Sequence, residues 1–186
     1  MEYLQIQHTK LPKLGLGTWH MGVDSSKRGR EVEAIRYAIE NGMTHIDTAE
    51  MYSDGESERV VGEAIKGFKR EDLFVTTKVM PRNFKYEDVL KACGDSLLRL
   101  GLDYLDLYLL HWPNYDVSLE ETMGAMNELV DEGKIKRIGV SNFDVELMQE
   151  ARSLTPHGIF TNQVEYSLAD LSPENDGVLD YCQKND

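Results

Sequence analysis

The chain is short of cysteine, of positive charge and of long apolar runs. Only Cys93 and Cys182 are present. They stand far apart within helical patterns, so they read as small apolar residues, not as a disulfide framework or a metal set. Lysine and arginine number 20 against 33 aspartates and glutamates, a net charge of −13. That balance argues against nucleic acid or an anionic membrane as the main partner, since both need a basic surface. No apolar run approaches the length of a membrane span, and no charged-then-apolar leader opens the chain. The expected location is therefore a reducing cytoplasm. A glycine-rich phosphate loop is also missing: Gly15 and Gly17 supply only the first half of G-x-G-x-x-G. This disfavours an open doubly wound sheet.

What is there is a repeating unit of short apolar strand, polar loop and amphipathic helix. After a segment from Tyr3 to Lys13 that reads as a hairpin, strands are expected at 14–17, 44–47, 73–78, 106–111, 135–141 and 160–165. Each is rich in β-branched or aromatic residues, as strands buried on both faces are. Gly42, Gly67, Gly101 and Gly133 follow the helical stretches as left-handed caps. Ser118 with Glu121 forms a capping box, and Ser172 caps a helix opened by Pro173. From Tyr86 to Leu100, the residues Val89, Cys93, Leu97 and Leu100 make one stripe, the face of a helix laid on a sheet. Strands alternating with helices imply parallel pairing, and the best fit is a closed barrel with its site at the strand C-termini. The 186 residues suit one domain, residues 1–186. They hold about six β/α units where such a barrel has eight, so the expected barrel lacks its last two units.

Polar groups recur at one end of successive strands. Asp47 closes THID, Lys78 closes LFVTTK, His111 closes DLYLLH, and Tyr52 follows Asp47 in its loop. Repetition at the same end points to one convergent site. Tyrosine titrates near pH ~10, and a neighbouring ammonium favours its phenolate. Lys78 would be that ammonium, with Asp47 as its counter-ion and His111 offering a ring N–H to the same oxygen. The set can give a proton to a developing alkoxide or remove one from an alcohol. It contains no nucleophile, because Ser141 has no histidine in its motif and neither cysteine lies in an electropositive loop. Metal ligation is unsupported: His45 and Asp47 share a strand face without a third ligand. A reaction at a carbonyl would take its hydride from a bound cofactor.

Each residue has a plainer reading. Lys78 alone would be a strand-end lysine reaching solvent, Asp47 a turn cap, Tyr52 and Trp112 packing, and His111 a loop histidine. His8, His20 and His157 carry no functional reading.

Over nearly its whole length the chain resembles the aldo-keto reductases. The resemblance lies in LGLGTW (14–19), DTAEMYSDGESERVVGEAI (47–65), TTK (76–78), LGLDYLDLYLLHWP (100–113), GKIKRIGVSNF (133–143) and NQVEYS (162–167). It implies a (β/α)8 TIM barrel that reduces aldehydes and ketones with a nicotinamide cofactor, NADPH most often and NADH not excluded, without metal. Tyr52 then matches the proton donor, Lys78 and Asp47 its partners, and His111 the group that orients the carbonyl. Ser141, Asn142 and Gln163 match the residues at the nicotinamide, with Asp47 beside them. Gly17, Thr18 and Trp19 match the loop at the cofactor and substrate mouth. Trp19 and Trp112 match pocket walls facing a small carbonyl substrate, with Tyr52 and His111. The family's seventh-strand aromatic and its phosphate-binding loop have no counterpart here, so the missing segment would be supplied by a longer parent chain. Two alternatives remain: a non-catalytic barrel that senses or docks, and an inactive fragment of such a reductase.

Overall fold

The fold is known from a computed structural model that describes residues 1–6 and 8–185. A hairpin of β1 (Tyr3–Ile6) and β2 (Thr9–Pro12) is followed by six strands. These are β3 (Leu16–Gly17), β4 (His45–Asp47), β5 (Phe74–Val79), β6 (Leu107–Leu110), β7 (Ile138–Ser141) and β8 (Asn162–Gln163). All pair in parallel and lie side by side in sequence order. The connecting helices are α1 (Arg28–Glu40), α2 (Glu56–Ala64), α3 (Tyr86–Leu100), α4 (Leu119–Asp131) and α5 (Val145–Ser153). Two short helices, α6 (Ser172–Asn175) and α7 (Val178–Lys184), follow β8. The arrangement is the expected one, six units of a (β/α)8 barrel preceded by a hairpin.

The two-residue period of the strands sorts side chains between two cores. Ile46, Val75, Val79, Tyr108, Leu110, Ile138 and Val140 face the helices and join one large apolar cluster. On the other face, Phe74, Leu107 and Leu109 pack with Leu11 of the hairpin. That same inner face carries Asp47, Lys78 and Ser141 nearer the strand C-termini. The α3 stripe is buried as expected: Val89, Cys93, Leu97 and Leu100 all lie in the helix-side core.

The four expected glycine caps all take left-handed backbone, with φ between 67° and 91°. Two expected caps form differently. Ser118 occupies the N-cap of α4 without a side-chain hydrogen bond. Glu121 instead accepts from the backbone N–H of Tyr86, 3.0 Å away, and so caps α3. The first turn of a neighbouring helix is as needy a donor as its own, and here it is the one in reach. At α6 the serine is already inside the helix; Leu171 is the cap residue, and Asp170 accepts the Ser172 N–H at 2.9 Å.

Candidate active site

The C-terminal strand ends bring the expected residues together. Asp47 is the last residue of β4, Lys78 the last but one of β5, and Ser141 and Gln163 the last of β7 and β8. His111 stands one residue beyond β6, its backbone N–H donating to Val79 O at 3.1 Å.

Lys78 is the hub. Its side chain is 1% exposed, which by itself would be costly for an ammonium. All three ammonium protons are used: Nζ donates to Asp47 Oδ1 at 2.6 Å, to Thr48 O at 2.9 Å and to Tyr52 Oη at 3.2 Å. Asp47 is held in turn from the far side of the sheet, where Gln163 Nε2 donates to its Oδ2 at 2.9 Å. The Tyr52 oxygen accepts from Lys78, and its own proton has no acceptor among the described residues. Tyr52 opens a tight turn in which Ser53, Asp54 and Gly55 all have positive φ, at 50°, 52° and 86°. Two consecutive non-glycine residues in that region mark strain held by the surroundings. Ser53 Oγ anchors the turn by donating to Met21 O at 3.0 Å. Glu50 braces the same loop, its N–H on Lys78 O and its carboxylate accepting from the Met80 N–H and Asn83 Nδ2. Burial raises the Glu50 carboxyl above its usual range.

His111 is 6% exposed and packs edge-on against the Tyr52 ring, centroids 5.6 Å apart. Burial and the Lys78 charge push its imidazole down to about 4, so the ring is neutral near pH 7. Its Nδ1 is buried without a partner among the described residues.

Beyond His111 the wall is built from amides. Asn142 has a φ of 60° and donates through Nδ2 to His111 O and to Ser141 Oγ, at 3.1 and 3.0 Å. Ser141 Oγ donates to Gln163 O at 2.9 Å. Asn142 Oδ1 and Gln163 Oε1 have no hydrogen-bond partner among the described residues. Both residues line a cleft of about 520 Å³, with Asp47, Tyr52, His111, Trp19 and Trp112.

Not every expected site residue reaches that cleft. Trp19 and Trp112 do, as exposed walls, with Trp19 stacked on His20 at 4.4 Å. Gly17 instead pairs with Asp47 inside the sheet. Thr18 is buried, its N–H and hydroxyl both donating to Asp47 O at 3.0 Å. Lys78 lies beneath the cleft floor. His45 turns away to the Thr76 hydroxyl, 3.1 Å off. Sequence reasoning missed Met51, Val164 and Glu165, which line the cleft, although Met51 adjoins Tyr52 and Val164 adjoins Gln163. It also missed Ser57, whose buried hydroxyl joins Thr18 to Thr48 at 2.9 and 3.2 Å. A serine in a helical pattern gives no sign of such a role.

The sequence profile described as "Aldo/keto reductase family" matches residues 13–186. Methylglyoxal reductase YeaE of Escherichia coli (strain K12) is 51% identical over 176 residues, covering 94% of this chain and 61% of that protein. Among solved structures, a thermostable aldo-keto reductase, Tm1743, in complex with the inhibitor epalrestat is 47% identical with a TM-score of 0.97. It is matched over 100% of this chain and 70% of its own. An aldo/keto reductase from Klebsiella pneumoniae, crystallised with NADP and acetate, is 47% identical with a TM-score of 0.90, covering 98% of this chain and 64% of that one. The chain thus spans about three fifths of the length of the curated relatives it matches. The strand-end site and these matches agree: the chain belongs to the aldo/keto reductase family.

Proposed function

We propose that the protein reduces a small aldehyde or ketone using NADPH, with Tyr52 as proton donor and alcohol oxidation as the reverse reaction. The observation that carries this reading is the buried Lys78 ammonium bonded at once to Asp47, Thr48 and Tyr52. Such a group stabilises the phenolate left when Tyr52 gives up its proton, and Asp47 balances its charge while substrate comes and goes. A barrel that only senses or docks has no use for a lysine desolvated beneath a tyrosine whose proton is free.

The cleft suits the nicotinamide end of the cofactor. Two amide oxygens without partners, Asn142 Oδ1 and Gln163 Oε1, are acceptors for the NH₂ of a carboxamide, and Ser141 completes the polar wall. NADPH supplies the hydride when bound. Around the carbonyl oxygen, the Tyr52 hydroxyl donates and a neutral His111 ring N–H adds a second hydrogen bond that fixes orientation. Trp19, Met51 and Trp112 wall the substrate side. Thr18 acts at one remove, through Asp47 O, and Gly17 lies opposite Asp47 in the sheet. Similarity to a methylglyoxal reductase and to NADP-bound structures supports a small carbonyl substrate and an NADP-type cofactor. We read residues 1–186 as one barrel-type domain, since a single apolar cluster runs from Ile35 to Val178. A reducing cytoplasm suits its two free thiols, and no described helix is long and apolar enough to cross a membrane.

Tyr52→Phe in the intact protein tests the assignment. Carbonyl-dependent NADPH oxidation should fall by about 10²–10⁴-fold in kcat, while NADPH binding, followed by nucleotide fluorescence, changes little. Near-normal turnover in that variant would remove Tyr52 from the role.

A further inference from the structure

Lys78 and Tyr52 are joined a second time, behind the sheet. Thr77, the neighbour of Lys78 on β5, faces the helices and donates to Glu58 Oε1 at 2.6 Å. From the last turn of α3, Arg99 Nε donates to Glu58 Oε2, also at 2.6 Å. The Glu58 side chain is 0% exposed and that of Arg99 only 17%. Arg99 then runs directly beneath the turn that carries Tyr52. A Cβ added to Gly55 would lie 2.7 Å from both Arg99 Cδ and Arg99 Nε. Gly62 brings the two helices this close: a Cβ there would sit 2.7 Å from the carbonyl oxygens of Arg99 and Leu100.

Burying an ion pair adds little net stability, because desolvation offsets the attraction. What it does supply is a fixed length between two elements. We propose that Glu58 and Arg99 are positioning residues, which set the height of the Tyr52 turn against the β5 segment that carries Lys78. Their effect on turnover rests on the reductase reading above; their effect on Tyr52 does not. The contact they govern is the longest of the three Lys78 hydrogen bonds, at 3.2 Å. It is therefore the first to be lost when the turn shifts by a fraction of an ångström.

The test uses Glu58→Leu, Arg99→Leu and their double variant in the intact protein, with two readouts. One is steady-state kinetics. The other is the ring ¹³C resonance of Tyr52 in tyrosine-labelled protein, assigned by its loss in Tyr52→Phe. Each single variant should lower kcat about 30-fold, with KM for the carbonyl and Kd for NADPH changing less than about 3-fold. The double variant should lose no more than either single one, because the two residues act as a unit. Glu58→Gln, which keeps a hydrogen-bonding partner for both Arg99 and Thr77, should recover kcat to within about 3-fold of the parent. The Tyr52 resonance should be one narrow line in the parent and in Glu58→Gln, and shifted or broadened in both leucine variants. If the leucine variants do not fold, Thr77→Val removes one bond of the pair and should give a smaller change of the same kind. An unaltered Tyr52 line in the folded variants would overturn the proposal, even if the protein reduces no carbonyl. A parent that turns over nothing, yet shows the expected Tyr52 changes, refutes the reductase reading alone.

Discussion

A histidine buried beside an ammonium does not switch charge where histidines usually do. With its imidazole at about 4, His111 stays neutral from pH 8 down to about 5. In the proposed reaction, a donor that orients a carbonyl without competing for its proton would need that neutrality. The linkage has a definite sign. Because the folded value lies below the ordinary ~6.5, the unfolded chain takes up the proton first as pH falls, and stability is lost between those two values. At pH 4.5 His111 should cost on the order of 2 kcal/mol relative to pH 7. Denaturant unfolding of the parent and of His111→Asn at both pH values measures this; an equal pH-dependent loss in the two proteins would show that His111 does not titrate as described. Asp47, Lys78 and His111 were legible because each is a polar residue ending an apolar run, which is conspicuous in a linear sequence. Glu58 and Arg99 were not: a charge in an amphipathic helix reads as solvated until the tertiary approach at Gly55 and Gly62 buries it. Gly17 and Thr18 show the opposite case: Gly17 pairs with Asp47 in the sheet and Thr18 is buried against Asp47 O, and neither lines the cleft.

Among the elements, α3 has the most to do. Its stripe of Val89, Cys93, Leu97 and Leu100 packs on the helix face of β5 and β6, and its last turn delivers Arg99. Its extent was readable to the residue because a 3.6-residue stripe, a following glycine and a polar start all agree. The caps of α4 and α6 were misread for a related reason. A capping motif names a donor and an acceptor, but which helix the acceptor serves depends on neighbours that sequence does not show. Burial of Cys93 raises its thiol to about 12, so it packs as an apolar residue without thiolate character. Leu100, 1% exposed in the same stripe, separates packing from positioning. Leu100→Ala should lower unfolding free energy by about 2–4 kcal/mol, read by denaturant titration. If Arg99 alone governs the Tyr52 turn, kcat at a temperature where the variant is folded should change by less than about 3-fold. A loss as large as that of Arg99→Leu would mean that helix packing as a whole, and not the ion pair, sets the turn.

At the scale of the whole molecule, the surface is larger than its mass requires. The accessible area is 10253 Å², whereas a monomeric protein of this size exposes about 9,100 Å². The excess of roughly 1,200 Å² has a visible source. Each of β3 and β8 pairs on one side only. Near β8, Phe160 and Val164 are half-buried, while Tyr166, Leu168 and Leu171 are exposed. Two forces then compete. Unpaired parallel edges with apolar flanks favour association, and a net charge of −13 opposes it. Charge repulsion is screened by salt, whereas apolar burial is not. Residues 1–186 prepared by themselves should therefore bind a hydrophobic dye and remain small at low ionic strength. On addition of salt they should grow in mass with both salt and protein concentration, as followed by light scattering. A dye-silent monomer at high salt would mean that the two-residue edge strands are too short to template pairing, and that the apolar flanks cover one another.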